Sequence, residues 1–161
     1  MILRISSLQE ISFGKLMELY KEGNFENAKE LYPNTDLSAA MLEAEQDFYA
    51  YLHDVFFKTE EACYFILEKD EQYVSGLRIE PYMDGYLIEA LETHPEHRHK
   101  GYATYLLNEV TSKFDKPLYS HISKNNAASL SVHKRCGFKI ILDYAEYIDG
   151  SHKQSSYTLC R

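Results

Sequence analysis

Between Glu92 and Thr104 the chain reads Glu-Thr-His-Pro-Glu-His-Arg-His-Lys-Gly-Tyr-Ala-Thr, a stretch dense in groups that can hold an anion. A Gly at the mouth of a helix lets backbone N–H groups converge, and the helix dipole favours negative charge there. Arg98 and Lys100 add charged donors beside Gly101. The chemistry written here is a phosphate or pyrophosphate cradle. The spacing is neither that of a P-loop nor the full GxGxxG of a dinucleotide fold, and plain loop chemistry accounts for such a segment equally well. Just upstream, Glu89 and Glu92 are the carboxylates available as a general base. Three apart on a strand, they point to opposite faces unless a bulge intervenes, and strict alternation puts Glu89 with Leu91 and Thr93.

Other reactive groups carry less. His94, His97 and His99 have no Cys or carboxylate at ligand spacing beyond Glu96, so no metal site is expected. Cys63, Cys136 and Cys160 form no CxxC pair and read as reduced thiols. Cys136 precedes Gly137 at a helix end, where the dipole opposes a thiolate. His121 beside Ser120 lacks the GxSxG elbow of a hydrolase and reads as sheet-facing.

The elements that must position these groups follow from periodicity. Ile2, Leu3 and Ile5 open a strand, and a helix follows the cap Ser6-Ser7 and ends near Gly23. After Tyr32-Pro33-Asn34, with Thr35 or Asp36 as cap, Met41, Ala44, Phe48, Tyr51, Leu52 and Val55 recur at helical spacing. Strands over 62–68, 73–81 and 86–93 make a meander. Ala103, Leu106, Leu107, Val110 and Phe114 mark a helix opened by Gly101; a strand over 118–123, a helix over 126–135 stopped by Gly137, and strands over 138–148 and 155–160 complete the chain. The order is β α α β β β α β α β β, an α/β class with a mixed, mainly antiparallel sheet flanked by helices. At 161 residues, 1–161 reads as a single domain.

Net charge is -8, which argues against nucleic acid and anionic membrane as partners. The charge is uneven. Residues 116–142 contain no Asp or Glu and carry +5, through Lys116, Lys124, Lys134, Arg135 and Lys139, leaving -13 elsewhere. Without a signal pattern or an apolar run near the ~20 residues of a membrane helix, the expected location is cytoplasmic.

Arg98-x-x-Gly101-x-Ala103, preceded by Pro95, resembles the Q/R-x-x-G-x-G/A signature of the GNAT superfamily of N-acetyltransferases. Asn126, Ser129, His133, Gly137 and Phe138 fall at the spacing of that family's second block, and the element order is similar to the GNAT fold. The resemblance covers the chain from about Tyr73 onward.

It implies an acyltransferase that moves an acetyl group from acetyl-CoA to a primary amine by direct attack in a ternary complex. The alternative is an idle acyl-CoA-binding or sensing module. Phosphates would meet the backbone of His99, Lys100, Gly101, Tyr102, Ala103 and Thr104, with Arg98 nearby. Main-chain groups near Leu91 and Thr93 would pair with pantetheine, and Asn126 would reach the same arm. The acid-free stretch 116–142 would run beside the anionic cosubstrate. Glu89 is the favoured base and Glu92 the second. Where many members carry a Tyr that protonates the departing thiolate, this chain has His133, either an acid or a polar residue lining the channel. Residues 1–60 carry 5 basic and 11 acidic side chains, with Glu43, Asp47 and Asp54 on one helix face. They make a cationic amine, such as a polyamine, an amino sugar or a peptide terminus, the candidate acceptor; the competing reading is an ordinary solvated face. A homodimer is the candidate assembly.

Overall fold

The computed structural model describes residues 1–161. Strand β1 (Ile2–Ile5) leads into a 3-10 turn closed by Glu10, whose carboxylate accepts from the N–H groups of Ser6 and Ser7. Helices α1 (Phe13–Leu19) and α2 (Lys21–Leu31) follow, divided at Tyr20. The sequence predicts one helix stopping near Gly23, but Gly23 lies inside α2 with open space around its Cβ position. At a solvent-facing position a glycine weakens a helix without ending it. Helix α3 (Leu37–Asp54) starts at Asp36, whose carboxylate accepts from the N–H groups of Ser38 and Ala39.

Strands β2 (Cys63–Lys69), β3 (Gln72–Tyr82) and β4 (Gly85–Thr93) form the expected meander. Helix α4 (Tyr102–Thr111), β5 (Leu118–Ser123), α5 (Ala127–Arg135) and β6 (Lys139–Leu142) come next. The strand expected over 138–148 is interrupted. A small hairpin, β7 (Ala145–Glu146) with β8 (His152–Lys153), leaves the sheet before β9 (Ser156–Cys160) returns to it.

The main sheet runs β1-β2-β3-β4-β5-β9-β6, and every neighbouring pair is antiparallel except β4 with β5. This is the mixed, mainly antiparallel α/β architecture expected. On one face Phe65, Leu77, Ile79 and Ile88 pack with Leu106, Leu107 and Val110 of α4. On the other, Tyr64 and Ile66 pack with Leu16 and Leu19 of α1 and Leu52 of α3. No helix is long and apolar enough to cross a membrane.

Candidate functional site

Strands β4 and β5 pair only through Tyr86–Leu118, Leu87–Tyr119 and Ile88–Ser120. At the start of this pairing the carbonyl of Pro117 accepts from Tyr86 N–H at 3.0 Å, and a Cβ on Gly85 would stand 1.9 Å from that carbonyl oxygen. Only glycine permits the approach. Beyond Ile88 and Ser120 the strands part, leaving a cleft of about 170 Å³ whose walls include Glu89, Leu91, His121, Asn126 and His133.

The parting coincides with a bulge. Arg78 pairs with Glu89 and Gly76 with Glu92, so two residues of β4, Ala90 and Leu91, stand opposite Leu77. Ala90 takes φ 49°, and its carbonyl accepts from the buried Tyr20 hydroxyl at 2.7 Å. The extra residue cancels the odd spacing of the two glutamates. Both lie on the face of Arg78 and Gly76, the face covered by α1 and α3, while Leu91 packs toward α4. The expectation that Glu89 shares a face with Leu91 and Thr93 is therefore corrected. Glu89 stands 3.6 Å from the Arg78 guanidinium. Glu92 is tied at 3.2 Å to Arg98.

The strand register adds a carboxyl that sequence inspection passes over. Glu80, two residues along β3 from Arg78, lies on the same face, and its pKa is pushed up to about 7 by burial and then by the neighbouring Glu89 carboxylate. Glu80, Glu89 and Arg78 thus form one charged group beside the cleft.

At the loop, Gly101 adopts φ 81° with nothing within 4 Å of its Cβ position. The first N–H bonded back along α4 is that of Tyr105, to the Gly101 carbonyl at 2.9 Å. The N–H groups of Tyr102, Ala103 and Thr104 precede it and have no intrahelical carbonyl to reach. His99, at φ 60°, is exposed on the loop. Lys100 donates to the Glu96 carbonyl at 3.0 Å. Lys69, from the end of β2, reaches the Tyr102 hydroxyl at 3.2 Å and is a second cation here that the loop's own sequence does not reveal.

Arg98 and Thr93 are engaged within the protein. The Arg98 guanidinium is held by Glu22 at 2.6 Å, Glu92 at 3.2 Å and the Thr93 carbonyl at 3.2 Å, so it ties α2 to β4 instead of facing the loop. Thr93 N–H donates to the Glu92 carboxylate at 3.0 Å, so both its main-chain groups are taken. Leu91 is the residue of that pair that lines the cleft. His94 and His97 are occupied by Glu96 N–H and Gln72.

The opposite wall is α5. Asn126 accepts from Ser129 N–H at 3.0 Å through its side-chain oxygen, which leaves its amide NH2 for the cleft. His133 is 1% exposed, and its Nδ1 donates to the Ser129 carbonyl at 2.9 Å. Its Nε2 therefore keeps its lone pair, is buried and has no protein partner, and the residue lines the cleft. Burial holds its pKa below the ordinary histidine value. The acid-free stretch supplies this wall, but its cations stand apart: Lys124 pairs with Asp143 at 3.0 Å, and Lys116 lies over the Tyr86 ring at 5.4 Å.

Across the bulge, a second cavity of about 360 Å³ opens between α2, α3 and the sheet. Asn24, Asp47, Tyr51, Arg78 and Ala90 are among its walls, so the two spaces share Ala90. Asp47 is held by the Tyr32 hydroxyl. Glu43 is exposed, and Asp54 is paired with His53 at 2.8 Å and Lys58 at 3.6 Å, which gives those two the solvated role. Four buried side-chain polar atoms lack a partner: Tyr64 Oη, Arg78 Nε, His121 Nδ1 and His133 Nε2. Arg78, His121 and His133 line the cleft or the cavity, and Tyr64 lies on β2 across from Arg78.

The model of the acetyltransferase (GNAT) family matches residues 18–138. The chain belongs to that family. No curated protein matches it in sequence. Among solved structures, an N-acetyltransferase from Staphylococcus aureus Mu50 is similar at TM-score 0.68 and 16% identity over 99% of this chain and 100% of that one. PaiA N-acetyltransferase from Thermoplasma acidophilum, solved with coenzyme A, is similar at TM-score 0.62 and 13% identity over 100% and 98%. The ribosomal-protein-S18-alanine N-acetyltransferase from Escherichia coli is similar at 0.58 and 14% over 99% and 92%. At these identities the likeness is one of fold.

For this GNAT chain, the residues that local motifs miss are Glu80, Arg78, Tyr20 and Lys69. Each reaches the site through strand pairing or helix packing, and only the aromatic and charged character of 73–82 hints at it. His121 also lines the cleft, edge-on to Tyr82 and Tyr147 and with burial lowering its pKa.

Proposed function

We propose that this chain is an N-acetyltransferase that moves the acetyl group of acetyl-CoA to a primary amine by direct attack in a ternary complex. The observation that carries the reading is the sharing of Ala90 between a narrow cleft and a wider cavity on the other side of the splay. A thioester in one and an amine in the other would meet at the bulge.

The residues suit acyl-CoA. Free N–H groups at Tyr102, Ala103 and Thr104, with Gly101 open to its surroundings, suit the pyrophosphate. Lys69 and Lys100 border the same depression of about 440 Å³. Leu91 main chain, the Asn126 amide and His133 Nε2 offer hydrogen bonds to a polar arm in the cleft. His133 in this tautomer accepts a hydrogen bond, so we assign it to holding the arm and not to protonating sulfur. Main-chain N–H groups at the bulge would polarise the thioester carbonyl.

An amine near pKa ~10.4 must lose a proton before it attacks. Glu89 takes that proton, with Glu80 sharing the negative charge and Arg78 stabilising the pair. The N–C bond forms as the C–S bond breaks, the new amide nitrogen gives its second proton to water, and CoA leaves as thiolate, which gains a proton from water, so that the ammonium substrate releases one proton in all. The acceptor is an amine and no metal is invoked. The test is release of CoA thiol with a panel of amines. Saturable turnover that Glu89→Gln lowers at least about 100-fold supports the assignment. Acetyl-CoA binding without turnover on any amine leaves an idle binding module.

A further inference from the structure

Arg78 carries a buried polar atom with no partner. Its side chain is 16% exposed, yet it donates no hydrogen bond to protein; its one ionic contact is Glu89 at 3.6 Å, and its buried Nε has no partner. The guanidinium lies over two neighbouring rings, 5.1 Å from the centre of Tyr51 and 5.5 Å from that of Phe56. The Nε is buried, but the terminal NH groups of the guanidinium keep accessible surface and donate to no protein atom, and Arg78 is a wall of the 360 Å³ cavity. Such donors suit an oxygen acceptor on a ligand.

The position of that oxygen is constrained. Arg78 and Glu89 are direct partners across the β3–β4 ladder, and opposed side chains start about 4.5–5.5 Å apart at Cβ. With the Arg78 guanidinium and the Glu89 carboxylate 3.6 Å apart, a ligand that gives its amine to Glu89 and an oxygen to Arg78 suits the two groups on neighbouring carbons. A long polyamine has no group for Arg78, and Asp47 at the far wall is already held by Tyr32.

We infer, resting on the acetyltransferase reading above, that the acceptor is an α-aminoacyl compound, an amine whose adjacent carbon bears a carboxylate or carbonyl oxygen, and that Arg78 selects it. Glu89 takes the ammonium proton before attack, and the amide forms on the α-nitrogen as CoA departs. A free amino acid and a peptide N-terminus present this same unit.

The test compares initial rates of acetylation of alanine, alaninamide and an Ala-Ala dipeptide with those of propylamine and 1,4-diaminobutane. At least one aminoacyl compound is expected to exceed the plain amines by about 10- to 100-fold in kcat/KM, and Arg78→Lys, which keeps the charge and loses the fork, to erase that margin. Preference for alanine identifies a free amino acid; preference for alaninamide or the dipeptide identifies an N-terminus. Equal rates with the plain amines, or a margin that survives in Arg78→Lys, overturns the inference. Thermal melting and CoA affinity of the variant separate a folding defect from a selective one. If no amine is acetylated the enzymatic reading fails by itself, and calorimetric titration of the same compounds into the protein with CoA decides the acceptor: binding of an aminoacyl compound that propylamine lacks and Arg78→Lys loses supports it, and no such binding overturns it.

Discussion

The Tyr20 hydroxyl donates to the Ala90 carbonyl at 2.7 Å, pinning the only irregular residue of β4 to the start of α2. One hydrogen bond therefore joins the helices that wall the wider cavity to the backbone at which the two spaces meet. Tyr20→Phe keeps the ring that packs on Phe48 and Tyr64 and removes this bond. The expected loss is about 1 kcal/mol, which for a chain of this size lowers Tm by about 2–4 °C in a calorimetric scan. Turnover should fall more than affinity for CoA, because the bulge positions the reacting groups and the loop holds the phosphates.

A Gly101→Asp substitution tests the loop. The Cβ meets no neighbour within 4 Å, so the fold tolerates it apart from the strain of φ 81°, on the order of 1 kcal/mol for a non-glycine residue. A carboxylate now stands where an anion should sit. CoA affinity measured by calorimetry is expected to drop at least about 10-fold for Asp and less for Ala; unchanged affinity for both would remove the loop from the binding site.

The loop and its helix were legible because their signals are local: Gly101, the basic residues before it and the 3.6-residue period after it are contiguous. The bulge was not. Ala90 has no turn preference, and its positive φ is set by Tyr20, 70 residues away, so the faces of Glu89 and Glu92 could be assigned only once the β3–β4 register was known. The ion pair of Arg98 was hidden for the same reason, since its partner Glu22 is 76 residues distant. Glu80 and Arg78 carry no local signal; pairing with β4 and the Tyr51 ring of α3 over Arg78 make them part of a site. The closing hairpin broke a strand that hydrophobicity alone would have run through Ile148.

Glu80 sets the pH dependence. Its pKa rises to about 7 in the folded chain from an ordinary carboxylate value, so the folded state binds more protons than the unfolded one between about 4.5 and 7. This contribution to stability is present at acid pH and is lost as pH rises through about 7. Glu80→Gln should remove it, gaining on the order of 1 kcal/mol over the parent at pH 8 relative to pH 5 after discount for solvent screening. In the rate profile, kcat/KM should rise as the Glu80–Glu89 group ionises near pH 7, and Glu80→Gln should move that limb to lower pH. A limb that does not move would detach Glu80 from the proton transfer.

His133 carries the opposite sign. Burial disfavours its charged form, so its folded pKa lies below the unfolded value of about 6.5. Below that pH the unfolded chain takes up a proton that the folded chain refuses, and stability falls as pH drops. His133→Phe preserves the ring against Phe138, now 5.1 Å centre to centre, and should flatten the fall of Tm between about pH 6.5 and 5. It also removes the Nε2 lone pair. If that nitrogen holds the polar arm of CoA, affinity for CoA drops, by about 2- to 10-fold for one neutral hydrogen bond, while the shape of the rate profile with pH stays that of the parent. Loss of a limb of the rate profile in this variant would instead make His133 the acid that protonates sulfur, and would require the ring to be charged in the ternary complex despite its burial.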